Sequence, residues 1–220
     1  MMEQAQTTPP RPPPSPPRAV AVSGLIFAGL FITSLVLVRL AMPADPSEPG
    51  AWLADDSARN WVRIALNLGP FAGIAFLWYM AVLRDRIGLQ EDRFFSTVFL
   101  GSGLLFVAML FVQVVVARGL FDTFTGVASV PKDLELYRFG RGIVYGLMNT
   151  FAIKMAAVFM FVTSTIGIRT GVLARWVSFV GFACGLVLLV TITDFPWIAL
   201  IFPSWVIVVS LYILVAGKKD

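Results

Sequence analysis

Charged residues fall in clusters, and the stretches between them run apolar for about the width of a bilayer. Charge is absent from residues 19–38, 64–83 and 94–117, and from 142–168 apart from Lys154. Two more uncharged runs, 176–193 and 195–217, flank Asp194. About 20 helical residues rising roughly 1.5 Å each match a hydrocarbon core of roughly 30 Å. The pattern predicts an all-α, polytopic transmembrane helix bundle with six spans, near 19–41, 61–83, 94–117, 142–168, 174–193 and 195–217, within one membrane domain at 19–217.

The breaks carry turn chemistry. In the segment 84–93, Gly88 suits a helix stop and Glu91 and Asp92 suit the positive end of the next helix. Ser129 and Pro131 suit the start of a short surface helix leading into the fourth span, and Asp194 with Pro196 suits a tight hairpin between the last two. Pro70, after Gly69, leaves the Leu66 carbonyl without its helical partner beside Asn67, as a packing kink or a broken-helix site would. Residues 1–18 are Pro-rich and read as a disordered cytoplasmic tail, with a PxxP docking segment as the sharper alternative. A cleaved signal peptide is the alternative for the first span, whose apolar stretch exceeds the usual 7 to 15 residues.

Composition agrees with lipid as solvent: 58% of residues are hydrophobic, 14% are charged, and the mean hydropathy is +0.82. Histidine is absent, which removes imidazole as base or ligand, and the single cysteine, Cys184, cannot form an intrachain disulfide or a CxxC pair. No catalytic set, metal site or cofactor is expected. Gly101-Ser102-Gly103 has the outline of a nucleophile turn but lacks its usual base. A net charge of +4 without a basic aromatic face points to anionic lipid beside the loops and away from nucleic acid. With the N-terminus inside, nine basic residues lie in the inner segments and seven in the outer ones, the seventeenth being Lys154. This bias predicts cytoplasmic termini. Trp52, Trp61, Trp176 and Trp197 fall at predicted span ends, as interfacial anchors do.

Lys154 stands out as a charge near the middle of the fourth span, where such residues usually face a cavity or a bundle interior. It is either part of a ligand or ion site or a lysine bonded to backbone carbonyls of neighbouring helices. Thr150 shares its helical stripe. Asn67, Gln113, Tyr145, Asn149, Thr191 and Asp194 share the outer half or outer mouth, while the inner halves look more apolar. The expected site is therefore an outward-facing polar pocket of Lys154, Asn149, Thr150, Asn67, Gln113 and Asp194, the alternative being that isolated Asn and Gln side chains act as interhelical glue. The pairs Gly69 with Gly73, Gly142 with Gly146 and Gly181 with Gly185 predict close helix approaches.

At FLWYMAVLRDRIGLQEDRFFSTVFLGSGLLF, residues 76–106, and LMNTFAIKMAAVFMFVTSTIGIRTGVLARW, residues 147–176, the chain resembles a family of bacterial multipass membrane proteins with no assigned activity. The resemblance implies a bacterial plasma membrane and no substrate or catalytic residue. The reading favoured by sequence is a structural or accessory subunit, partnered by another membrane protein or by a second copy. A small transporter or channel built around Lys154 is the first alternative, and a membrane-embedded lipid-modifying enzyme the second.

Overall fold

The computed structural model describes residues 17–42, 50–87, 93–125, 133–191 and 197–216. Helices dominate because the uncharged runs leave backbone amides no partner in lipid except their own segment. The helices are α1 (Pro17–Ala41), α2 (Asp56–Arg86), α3 (Arg93–Phe124), α4 (Leu134–Tyr145), α5 (Ile153–Thr170), α6 (Arg175–Val190) and α7 (Ile201–Ala216). A π-helical segment, Gly146–Ala152, joins α4 to α5, so Leu134–Thr170 is one rod of 37 residues. Five helical stretches are long and apolar enough to cross a membrane: α1, α2, α3, the α4–α5 rod and Ile198–Ala216.

With the α4–α5 rod counted as one, successive helices alternate in direction, which defines two ends. One, the Pro17 end, gathers Arg84, which donates to Ser96 at 3.3 Å, and Arg169, whose guanidinium lies 4.6 Å from the Phe95 ring centre. The other, the Ala41 end, gathers Arg39, Trp52, Arg118 and Arg141. Local chemistry fixes several helix limits. The Asp55 carboxylate accepts from the Ser57 amide and hydroxyl, both at 2.8 Å, and starts α2. Asp133 accepts from the Leu136 amide at 3.0 Å and starts α4. Gly171, at φ 71°, closes α5 in a left-handed conformation that a side chain would strain.

The middle of the bundle is a block of phenylalanines drawn from five helices. Phe76 of α2 has ring centres at 4.9 Å from Phe27 of α1, 5.1 Å from Phe106 of α3, 5.2 Å from Phe159 of α5 and 5.6 Å from Phe202 of α7. Most of these pairs are edge-to-face, the arrangement that aromatic quadrupoles favour.

Four expectations change. The surface helix before the fourth span is the first part of the span itself, because α4 runs through the π segment into α5 without a break. The fifth span is shorter than 174–193: α6 has 16 residues, about 24 Å of helix, and Thr191 leaves it in an extended conformation. The glycine pairs divide, since Gly69 and Gly73 lie against Val114 and Phe111, and Gly181 and Gly185 against α5, but Gly142 and Gly146 face no neighbouring atom within 4 Å. Pro17 and Arg18, expected in the Pro-rich tail, begin α1, while residues 1–16, Gly88, Glu91, Asp92, Ser129, Pro131, Asp194 and Pro196 lie outside the described residues.

Candidate ligand-binding cavity

A cavity of about 120 Å³ opens between α1, α2, α3 and the α4–α5 rod in the Ala41 half. Its polar wall comes from three helices. Arg39 lies one residue past the uncharged run of α1, and Arg141 lies one turn before Tyr145 on α4. Both guanidinium groups donate to the Tyr145 hydroxyl, Arg39 Nη1 at 3.0 Å and Arg141 Nη2 at 3.4 Å. The same cations lie over aromatic rings, Arg39 at 5.5 Å from the Tyr145 centre and Arg141 at 5.6 Å and 5.8 Å from those of Tyr145 and Tyr137. Arg141 is only 1% exposed, so the site buries a cation and sets it against the negative faces of the rings. Ser34, Gln113 and Asn149 also line the cavity, and the Ser34 hydroxyl donates to the Ala65 carbonyl at 2.9 Å.

The rim is covered by the turn Ala51–Ala54. Trp52 lines the cavity, donates through Nε1 to the Tyr137 hydroxyl at 2.9 Å and stacks on Phe121. Arg59 donates to the Leu53 carbonyl at 2.6 Å and holds the turn to the start of α2. Towards the bundle centre the lining becomes apolar, with Phe31, Leu35, Leu66, Leu110, Val114 and Met148. Phe31 stacks on Phe27, so the phenylalanine block closes the inner end.

Of the residues expected to form a site, Gln113 and Asn149 reach the cavity, as does Tyr145. Asn67 is exposed on α2, where its Oδ1 accepts from Arg118 Nη1 at 3.1 Å, and Arg118 also pairs with Asp122 at 3.0 Å. Thr150 faces outward, and Asp194 lies outside the described residues. Lys154 does not line the cavity. Its Nζ donates to the Leu188 carbonyl at 2.8 Å and the Thr191 carbonyl at 2.6 Å, at the C-terminal end of α6. A cation is favourable there because the last turn of a helix leaves carbonyls unbonded and carries partial negative charge. Lys154 thereby satisfies the end of a helix that stops inside the apolar zone.

Sequence reasoning missed Arg39 and Arg141 because hydropathy assigns a charge beside a span to the loop. A signal was present. Arg141 and Tyr145 are four apart, and residues so spaced share one helix face. Among the described residues, no group of three or more His, Cys, Asp or Glu side chains could hold a metal ion.

The fold and cavity together define a class, an all-α helical bundle whose apolar helices suit a membrane, with a cation-lined cavity towards one end. Within that class the chain matches no protein-family model, no curated protein and no solved structure.

Proposed function

We propose that this membrane protein binds an anionic ligand in the cavity bounded by Arg39, Arg141 and Tyr145. The observation that carries the reading is the convergence of two guanidinium groups from different helices on one phenol at the edge of a cavity. A guanidinium presents its N–H donors in a rigid fork whose geometry matches the oxygens of a carboxylate or a phosphate. Gln113 and Asn149 add neutral donors deeper in the same cavity. The phenylalanine block below favours a binding site reached from one side over an open pore. The membrane we infer is a bacterial plasma membrane, as the resemblance over residues 76–106 and 147–176 implies, and nine inner against seven outer basic residues support cytoplasmic termini. The cavity then faces the outer leaflet.

A structural or accessory role in a membrane complex is the second reading. It is favoured by the engagement of Lys154 with helix-end carbonyls and not with a pocket. The two readings separate in one set of measurements. Thermal unfolding of the detergent-solubilised full chain, titrated with inorganic phosphate and with an alkyl phosphate at constant ionic strength, should shift upward with at least one of them. Arg39→Gln should abolish the shift. No arginine-dependent shift with either probe, together with a stoichiometric partner retained on purification from native membranes, would establish the accessory reading instead.

A further inference from the structure

Building on the anion-binding reading, we infer that the ligand is a membrane amphiphile with one anionic head and an apolar chain, the head at Arg39, Arg141 and Tyr145 and the chain directed to Phe31.

The depth of the cations is the first argument. Arg18 and Arg39 lie on the same helix, 21 residues apart, which is about 32 Å along its axis. That separation matches the roughly 30 Å thickness of the hydrocarbon core. With Arg18 at one interface, the Arg39 guanidinium lies at the other, where the phosphate or carboxylate of a membrane amphiphile resides. The buried Arg141 meets it there through Tyr145.

The grading of the cavity is the second argument. Phe31 precedes Arg39 by eight residues, about 12 Å of helix towards the bundle centre. Over that distance the lining passes from guanidinium and phenol, through Gln113 and Asn149, to Leu35, Leu110 and Phe31. An inorganic anion has use for the rim alone. The apolar end offers water few hydrogen-bonding partners, and cavities of that kind stay dry or take apolar occupants. A chain lying there runs from interface to midplane, in the direction it already has in its own leaflet.

The covering turn is consistent with this direction of entry. Trp52 is fixed by the Tyr137 hydroxyl and by stacking on Phe121, which sets packed aromatic groups at the aqueous side of the cavity. An amphiphile arriving within the bilayer does not need that side to open.

The test uses the purified full chain in a glycoside detergent, with lysophosphatidate, lysophosphatidylcholine of the same chain length, and inorganic phosphate as probes. Native mass spectrometry reads the adducts and thermal unfolding reads their effect. Lysophosphatidate is expected to bind at least tenfold more tightly than either of the other two. That preference should fall about tenfold or more in Arg39→Gln, the loss that follows from removing a charge-assisted hydrogen bond. Leu35→Trp, which fills the cavity one turn below Arg39, should remove the lysophosphatidate adduct. Val114→Phe fills the same region from α3 and supplies the result if Leu35→Trp does not melt cooperatively. Equal binding of lysophosphatidylcholine and lysophosphatidate overturns the inference. If inorganic phosphate binds as tightly as lysophosphatidate, dependent on Arg39 and indifferent to both filling variants, the amphiphile is excluded while the anion site stands. If no probe binds in an Arg39-dependent manner, both readings fall.

Discussion

The two ends of the bundle bury polar groups by different means. In the Pro17 half the buried polar side chains are hydroxyls: Ser23, Ser102, Thr163, Ser164, Ser178 and Ser210. Ser23 and Ser102 donate back to carbonyls of their own helices, at 2.8 Å to Ala19 and 2.7 Å to Val98. Ser210 and Tyr79 press against Gly24, and Ser164 and Trp205 against Gly181, so helices meet there with no space between them. In the Ala41 half the buried polar group is Arg141, and a cavity lies beside it. Thr163, Ser164, Ser178 and Ser210 have no hydrogen-bond partner among the described residues, so close packing there leaves small hydroxyls unpaired. The Arg141 guanidinium is held by Tyr145 and the Tyr137 ring of its own helix, and Arg39 reaches the same phenol from α1, so two cations meet beside the cavity. One half is thus tightly packed around small hydroxyls, and the other keeps a cavity beside its buried cation.

The largest effect that would sharpen this contrast comes from the boundary between the halves. Phe76→Ala removes the ring that touches four other phenylalanines and Tyr79, and truncating a core phenylalanine costs about 3 to 5 kcal/mol. Unfolding of the detergent-solubilised chain in a chaotrope series should show that loss. A cost below about 1 kcal/mol would mean that the phenylalanine block is not the structural core.

Next in size is Lys154→Met, which deletes two hydrogen bonds from an ammonium to the end of α6. Charge-assisted bonds are worth about 1.5 to 3 kcal/mol each, and the methionine recovers part of that through its apolar chain, so a net loss of about 1 to 3 kcal/mol is expected. Amide hydrogen exchange should accelerate in residues 186–191 and remain unchanged around Tyr145. A change in ligand binding with no change at α6 would reverse the assignment and return Lys154 to the cavity.

How much of this was legible in the sequence depended on how far each signal reaches. The uncharged runs report the solvent of a whole segment, so the helices and their approximate limits could be read one at a time. Lys154 was conspicuous for the same reason, yet its role turned on where α6 stops, and nothing in residues 176–193 marks Thr191 as the end. Arg39 and Arg141 are 102 residues apart and meet only through Tyr145. A linear reading had placed both in the outer segments as two of seven charges. Gly142 and Gly146 mislead in the opposite direction, since their spacing is that of a packing motif but their face meets no neighbour.

That difference among glycines yields a smaller prediction. Gly24→Ala places a methyl group against Tyr79 and Ser210 and should destabilise by about 1 to 3 kcal/mol through overpacking. Gly142→Ala meets open space within α4, where alanine's higher helix propensity should stabilise by about 0.5 to 1 kcal/mol. Melting temperatures of the two variants should therefore move in opposite directions. Shifts of the same sign would remove the distinction between a glycine packed against a neighbouring helix and one that faces open space.

The smallest effect concerns Asp55, which starts α2 directly after the turn that covers the cavity. The Ser57 hydroxyl and amide donate to its carboxylate and hold its pKa below the ordinary range. Because the folded value lies below the unfolded one, near 3.9, the group contributes stability above that pH and loses it as pH falls through the folded value. Acidification should therefore loosen the Ala51–Ala54 turn before it affects the phenylalanine block. Trp52 fluorescence, isolated by replacing the other five tryptophans with phenylalanine, reads the turn through its contact with Phe121. Asp55→Asn separates charge from capping, since asparagine caps as well as aspartate but does not titrate in this range. It should keep the turn closed at neutral pH and abolish the acid response. A Trp52 signal that retains its acid midpoint in Asp55→Asn would transfer the effect to another carboxylate at the Ala41 end.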